Sequence, residues 1–216
     1  MEIVTIDNSI TQNKTTQSLI GATLALNLLK AGNQRFVNKE PINRNLLQQV
    51  QDTTKGQYPF ACVLSCIDSR IPTEVIFDQG IGDVFNARIA GNFVNEDILG
   101  SMEFACKLAG SKVIVVMGHT SCGAIKGACD HAKLGNLTQM LDKIQPAVAA
   151  VATQKDVDRS SKNLDFVNAV SRENVLQTIV RIKVESEVLR EMYNNGEIDI
   201  VGAMYHVESG KVTFYS

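Results

Sequence analysis

The sequence predicts an α/β fold built on a mainly parallel central β-sheet flanked by helices, and three observations support this prediction. Apolar runs alternate with helical patterns along the chain, which is typical of parallel sheets. Residues 60–64 and 113–117 are apolar throughout, as strands buried on both faces are. Two β-like runs at the end of the chain flank Ser209 and Gly210, a good tight-turn pair, and predict a closing antiparallel hairpin. A chain of 216 residues is long enough to bury the core of one such domain.

The helices and the remaining strands follow from spacing and from turn residues. Ala22, Leu26, Leu29 and Phe36 recur on one face and predict the first long helix. Pro72 is suited to a helix start, and Gly110 to a helix end. The other predicted helices are 41–52, 98–108, 121–132, 137–151 and 175–193, and the other predicted strands are 84–89, 198–207 and 211–215.

The chain divides into two parts. Residues 1–40 begin with a polar stretch that has too little apolar content to fold alone, followed by the first helix. We expect this N-terminal arm to pack on the body of the protein or on a neighbouring subunit. Residues 41–216 are expected to form a single α/β domain.

Composition excludes several classes of partner. The formal net charge is -2, which gives no electrostatic footprint for nucleic acid or for an anionic membrane. The apolar run 19–29 is too short and too interrupted to span a bilayer, and the first residues lack a secretory pattern. The five cysteines are an odd number scattered along the chain, which favours reduced thiols over a disulfide framework. A cytoplasmic location is therefore expected.

Two polar motifs follow the apolar runs at 60–64 and 113–117. The first carries Cys66, Asp68 and Arg70, and the second carries His119 and Cys122. Cysteine and histidine are the side chains that Zn²⁺ prefers, and a catalytic zinc keeps three protein ligands and one exchangeable position. Ligand sites of parallel sheets lie beyond the carboxyl ends of the strands. If the two strands are neighbours, the motifs meet at one point.

Simpler interpretations apply to single residues. Cys66 alone would be a better candidate for a buried structural thiol, since free cysteine is among the most buried residue types. Cys62, Cys106 and Cys129 are interpreted as core or ordinary surface residues. His131 and His206 are interpreted as surface or satisfied polar groups rather than ligands, although His206 could shuttle protons if it lies near the mouth of the site. The combination of thiols, imidazole, carboxylate and guanidinium at two strand ends has no such simple explanation.

The order of these motifs resembles the β-class carbonic anhydrases, in which C-x-D-x-R follows one strand and H-x-x-C another. Further similar segments at 32–36, 90–92 and 201–205 extend the resemblance over nearly the whole chain after the polar N-terminal stretch. The resemblance implies reversible hydration of carbon dioxide to bicarbonate and a proton by zinc-bound hydroxide, with one Zn²⁺ per subunit. It implies that Cys66, His119 and Cys122 hold the metal. Asp68 is then a conditional fourth ligand that Arg70 holds away, so that the two residues act as gate and orienting dyad.

The same resemblance implies a pocket and an assembly. Gln57 stands at the position that binds substrate, Phe85 and Phe104 at positions that wall the pocket, and Gly123 at one that offers a backbone N–H. In relatives Gln57 and the aromatic residues come from the adjacent subunit, which implies a homodimer or homotetramer with the active site at the interface. Phe104 replaces a tyrosine found in many relatives, so a hydroxyl contact is lost.

The branch of the family and the substrate are further expectations. Relatives with a second, inhibitory bicarbonate site carry Trp-x-Gly before the ligand cysteine, whereas this chain has Val63 and Ser65 and no tryptophan. The type I branch is therefore expected. Two alternatives stay open: hydrolysis of carbonyl sulfide or carbon disulfide by the same chemistry, and a structural zinc with four permanent ligands in a binding or scaffold protein.

Overall fold

A computed structural model describes residues 6–215 as a five-stranded sheet with helices on both faces. The strands are β1 (Ala61–Ser65), β2 (Val84–Arg88), β3 (Val113–His119), β4 (Asp199–Tyr205) and β5 (Val212–Tyr215). Their order across the sheet is β2-β1-β3-β4-β5. The first four strands pair in parallel, and β5 pairs with β4 in the antiparallel sense. The predicted fold class is confirmed, including the edge strand of the closing hairpin.

The two central strands owe their position to unbroken apolar sequence. Every residue of β1 and of β3 is buried. Val63 and Val115 contribute to one core, whereas Leu64 and Val116 contribute to a second core on the opposite face. Because each face of the sheet buries one core, a strand here needs apolar side chains in both directions.

Ten α-helices occur in the described residues. They are α1 (Lys14–Ser18), α2 (Ala22–Asn38), α3 (Leu46–Asp52), α4 (Thr73–Ile76), α5 (Glu96–Glu103), α6 (Gly123–Cys129), α7 (Gly135–Asp142), α8 (Gln145–Ala150), α9 (Leu164–Glu185) and α10 (Glu187–Asn194). A π-helical turn, Phe104–Leu108, continues α5. The first long helix is confirmed: α2 begins at Ala22 and contains all four residues of the predicted apolar face.

Several predicted helix bounds were wrong. The segment expected at 41–52 is helical only from Leu46, and the helix expected at 137–151 is divided into α7 and α8, with Pro146 in the first turn of α8. The long helix begins at Leu164, eleven residues before the predicted start, because Asn163 caps it with a hydrogen bond to the Phe166 N–H. Ser186, whose backbone is extended, separates α9 from α10.

The N-terminal arm contacts the body of the same chain in the described part. The Gln17 side chain donates to the carbonyls of Pro59 and Ala109, both at 2.8 Å. Ile20 is 1% exposed. Residues 1–5 of the predicted arm lie outside the described residues. No helix within residues 6–215 has the length and apolar character needed to cross a bilayer.

Candidate metal centre

Three predicted metal ligands come from two neighbouring strands and one helix start. β1 and β3 are adjacent, and Ser65 pairs with Met117 in register. Cys66 follows β1 directly, and His119 is the last residue of β3, whereas the sequence had predicted that the strand ends at residue 117, before His119. Cys122 is the N-cap residue of α6. Parallel pairing therefore brings all three to the carboxyl edge of the sheet.

The geometry of this cluster suits one metal ion. One ligand atom from each of Cys66, His119 and Cys122 lies within 4.8 Å of the other two, and all three residues are buried. The two sulfur atoms are 3.9 Å apart. Two thiolates on a tetrahedral zinc with Zn–S bonds of about 2.3 Å would be about 3.8 Å apart. The separation of the sulfur atoms thus matches a zinc centre without rearrangement of the strands.

The imidazole of His119 is oriented as a ligand. Its Nδ1 lies 2.9 Å from the carbonyl oxygen of Thr120, which can only accept a hydrogen bond. Nδ1 therefore carries the proton, and Nε2 keeps a free lone pair. Nε2 is buried, and no other described residue offers it a hydrogen bond. A buried nitrogen without a partner is costly in an apolar core but is what a metal ligand requires.

The two thiols share one hydrogen bond. This contact lowers the pKa of Cys66 and raises that of Cys122, and burial opposes the ionisation of both. The Gly91 N–H also donates to the Cys66 sulfur at 3.4 Å, which favours the thiolate. At Cys122 the positive end of the α6 dipole faces the residue and favours a negative sulfur.

Asp68 and Arg70 form a bidentate ion pair beside the cluster. Arg70 Nε and Nη2 donate to the two Asp68 carboxylate oxygens at 2.9 and 2.8 Å. This pairing holds the pKa of Asp68 far below its usual range. Asp68 Oδ2 nevertheless lies only 3.9 Å from His119 Nε2, so that the carboxylate reaches the edge of the ligand cluster.

Arg88 was not predicted as a site residue, yet it holds the loop that carries Cys66 and Asp68. Its Nε donates to the Cys66 carbonyl at 3.0 Å, and its Nη2 donates to the Asp68 carbonyl at 2.7 Å. Arg88 is the last residue of β2 and pairs in register with Ser65. A charged residue at a strand end, opposite the motif, was the available signal for this role.

The predicted pocket residues do not join the cluster within one chain. Phe85 and Phe104 pack edge to face, with ring centroids 6.1 Å apart, and line a cavity of about 570 Å³ that includes Cys62. Phe85 packs against the core on the face of the sheet opposite to the core that contains Cys66. Gln57 is exposed and lines a separate cavity of about 510 Å³. Gly123 does adjoin the cluster, as the first residue of α6 after Cys122.

The remaining cysteines and histidines lie apart from the cluster. Cys62, Cys106 and Cys129 are buried free thiols, and burial raises the pKa of each, to about 12 for Cys106 and about 11 for Cys129. His206 Nε2 lies 3.2 Å from the Thr213 hydroxyl. His131 is exposed.

Comparisons with known proteins agree with this geometry. A family model described as carbonic anhydrase matches residues 61–212. A carbonic anhydrase of Mycolicibacterium smegmatis is 32% identical over 194 residues, covering 87% of this chain and 90% of that protein. Carbonic anhydrase 2 of Mycobacterium tuberculosis is 33% identical over 184 residues, with coverages of 85% and 87%. A tetrameric β-carbonic anhydrase of Sordaria macrospora shares the fold, with a TM-score of 0.67 at 21% identity over 90% of this chain and 95% of that one.

Proposed function

The chain belongs to the β class of carbonic anhydrases, the family that hydrates carbon dioxide, and on this basis we propose that its activity depends on one Zn²⁺ held by Cys66, His119 and Cys122. The single observation that carries this proposal is the buried Cys-His-Cys cluster with ligand atoms within 4.8 Å. The free lone pair of His119 Nε2 supports it. When bound there, Zn²⁺ would supply a Lewis acid that lowers the pKa of a bound water to about 7.

Asp68 serves as the residue that receives and orients the reacting water. Its carboxylate lies at the edge of the ligand cluster, 3.9 Å from His119 Nε2, and can accept a hydrogen bond there. Because the pKa of Asp68 is strongly lowered by Arg70, the carboxylate stays ionised and remains an acceptor. A fixed acceptor aims the water lone pair at carbon dioxide and reduces the cost of orientation.

Arg70 serves as the gate. Its planar fork engages both carboxylate oxygens of Asp68, which a lysine could not do. With Arg70 engaged, Asp68 is held away from the metal position and the fourth position is open. Without Arg70, the same carboxylate would be free to act as the conditional fourth ligand.

The substrate pocket is completed by a second subunit. Gly123 offers a backbone N–H that has no partner within α6, since it belongs to the first helical turn. Gln57, Phe85 and Phe104 act at the cluster of the adjacent subunit. Their separation from the cluster of their own chain supports this, as does the exposure of the apolar Phe104 side chain, which is 52% exposed.

The same proposal includes the two-part division of the chain and the branch of the family. Residues 1–40 act as an arm that packs on the body or on the partner, and 41–216 as the catalytic domain. The contacts of Gln17 with Pro59 and Ala109 support an arm that follows the body closely. With Val63 and Ser65 before the ligand Cys66, inhibition by bicarbonate at a second site is not expected.

The proposal is tested with Asp68→Asn and Arg70→Ala, assayed by stopped-flow hydration of carbon dioxide and by zinc content. Both variants are expected to keep one zinc per chain and to lose about 100-fold or more in kcat, the usual scale for a lost proton-transfer or orienting group. Arg70→Lys is the matched control, because it keeps the charge but not the fork, and it should lose nearly as much as Arg70→Ala. Full activity in Asp68→Asn or in Arg70→Ala would contradict the mechanism, and a purified wild-type protein that binds no zinc would contradict the site.

A further inference from the structure

One face of α9 carries three polar side chains at intervals of three residues, although the helix lies against the core of the protein. These are Asn168, Ser171 and Asn174, defined here as the α9 polar row. Ser171 and Asn174 are 0% and 3% exposed, and Asn168 is half-buried. Residues three apart on a helix lie on adjoining turns of one face, so that the row forms one continuous ridge.

Asn168 and Ser171 hold the segment that contains two of the three ligands. Asn168 Oδ1 accepts a hydrogen bond from the Ser121 N–H at 2.9 Å. Ser171 Oγ donates to the His119 carbonyl at 3.1 Å. Ser121 has a φ of 56°, a left-handed conformation that costs a non-glycine residue about 1 kcal/mol or more. The bond to Asn168 offsets this strain and fixes the turn between His119 and Cys122.

Asn174 acts on the third ligand through the backbone of one residue, Gly91. Its Nδ2 donates to the Gly91 carbonyl at 2.8 Å, and the Gly91 N–H donates to the Cys66 sulfur at 3.4 Å. Gly91 has a φ of 82°, and a Cβ there would lie 2.5 Å from Ile144 Cδ1. The turn at Gly91 is therefore confined by packing as well as by Asn174, and its N–H is directed at the sulfur.

Gly118 permits the helix to come close enough for these bonds. A Cβ at Gly118, on β3, would lie 2.8 Å from Val175 Cγ2 and 3.0 Å from Ser171 Oγ. Both distances are shorter than ordinary van der Waals contacts. Because glycine leaves this space open, α9 lies directly on β3 and Ser171 reaches the backbone of His119.

We propose that the α9 polar row is a positioning device that sets the geometry of all three metal ligands, through the Ser121 N–H, the His119 carbonyl and the backbone of Gly91. The inference rests on the proposed zinc site and deepens it. Outer partners of metal ligands fix ligand orientation, and their loss typically weakens metal binding by about 10- to 100-fold. Here one helix, α9, supplies such partners to His119 at the end of β3, to Ser121 before α6 and to the turn at Gly91.

The proposal is tested by the same chemical change at both ends of the row. Asn168 accepts a hydrogen bond, so Asn168→Asp keeps the acceptor and should hold the zinc dissociation constant within about threefold of wild type. Asn174 donates, so Asn174→Asp loses the donor and faces the Gly91 carbonyl with a carboxylate oxygen. Its zinc binding should weaken by about 10- to 100-fold. Zinc affinity is measured by competition with a chromophoric chelator.

A spectroscopic readout separates positioning from general stability. Asn174→Asp is expected to displace Gly91 and so to weaken the hydrogen bond from the Gly91 N–H to the Cys66 sulfur. In the Co²⁺-substituted protein, loss of this bond raises the energy of the sulfur lone pairs. The sulfur-to-cobalt charge-transfer band of Asn174→Asp should therefore move to longer wavelength, and that of Asn168→Asp should not. Thr178→Val is the matched control, since Thr178 is 1% exposed on the same helix, one turn further on. It should change thermal stability without changing the band or the zinc affinity.

Two alanine variants provide the same test if Asn174→Asp does not fold. If the buried carboxylate of Asn174→Asp prevents folding, Asn174→Ala and Ser171→Ala replace it, with the same expected loss of zinc affinity. Wild-type affinity in Asn174→Ala or Ser171→Ala, or an equal loss in both Asn→Asp variants, would overturn the role of the row. A wild-type protein that fails to bind zinc would instead refute the proposed function.

Discussion

We predict that ionisation of Asp83 lowers the free energy of unfolding of the wild-type protein by about 1 to 2 kcal/mol between pH 5 and pH 8. In Asp83→Asn this decrease should be absent. Asp83 directly precedes β2, at the edge of the sheet opposite to the metal ligands, and is 1% exposed. Its Oδ2 accepts from the Gly80 N–H at 2.7 Å. Its Oδ1 has no hydrogen-bond partner among the described residues. Burial raises the pKa of this carboxyl from 3.8 to about 6.

The sign follows from proton binding. Between pH 3.8 and pH 6 the folded protein holds a proton on Asp83 that the unfolded chain has released, so stability falls as pH rises through this window and stays lower above it. A difference of roughly 2 pKa units corresponds to about 3 kcal/mol in total, at about 1.4 kcal/mol per unit. About half of this difference falls between pH 5 and pH 8.

The assay is equilibrium unfolding of zinc-loaded wild type and Asp83→Asn in urea at pH 5, 6.5 and 8. Asparagine keeps the acceptor for the Gly80 N–H but cannot ionise, so the variant should gain stability over wild type as pH rises. Asp156→Asn, in an exposed loop, is the control and should show no such trend. If Asp83→Asn and wild type change in parallel from pH 5 to pH 8, the carboxylate is not desolvated and the reasoning fails.

Two further predictions concern the partners of charged and polar groups. Asp78 lies 2.5 Å from both Arg35 and Arg44, and the Arg44 side chain is 5% exposed, so Asp78→Asn should cost about 3 kcal/mol by leaving a buried guanidinium unpaired. An unfolding midpoint close to that of wild type would contradict this. Mixing Cys66→Ala with Gln57→Ala subunits should restore carbon dioxide hydration above that of either variant alone, because one intact site forms only if Gln57 acts across the interface. No gain on mixing, with mixed dimers demonstrated, would place Gln57 in its own subunit's site.

The sheet and the ligand cluster could be predicted because both depend on short patterns in the chain. The runs 60–64 and 113–117 are apolar in both side-chain directions, and only central strands of a parallel sheet need that. Once β1 and β3 are neighbours, the residues that follow them must share one edge. The placement of Cys66, His119 and Cys122 therefore required no knowledge of the helices.

The start of α9 could not be predicted for a reason that bears on the site. Helix prediction follows an apolar face, and in the first half of α9 the buried apolar residues are followed by two buried polar ones, Ser171 and Asn174. Such residues at core positions look like loop or surface sequence. The predicted start at Val175 comes directly after the buried polar residues Ser171 and Asn174. These same two residues, which made the helix hard to predict, donate hydrogen bonds to the carbonyls of His119 and Gly91.

Arg88 and Asp83 were missed because their roles depend on tertiary neighbours. The carbonyls that Arg88 contacts belong to another strand and its loop, and no local pattern records them. The predicted roles of Gln57, Phe85 and Phe104 rest on a second subunit, and the geometry of one chain cannot supply their partners.

If zinc is held as proposed, the separation of its three ligands along the chain has a consequence for how the metal is acquired. His119 and Cys122 are three positions apart and form a local chelating pair, whereas Cys66 is 56 positions away from Cys122. A chain that has not yet folded therefore offers zinc two ligands at little entropic cost, while the third requires closure of a long loop. Pairing of β1 with β3 delivers Cys66, so tight metal capture is expected to coincide with assembly of the sheet centre. Zinc bound at that stage would link the ends of β1 and β3, so that separation of these two strands during unfolding would be slow.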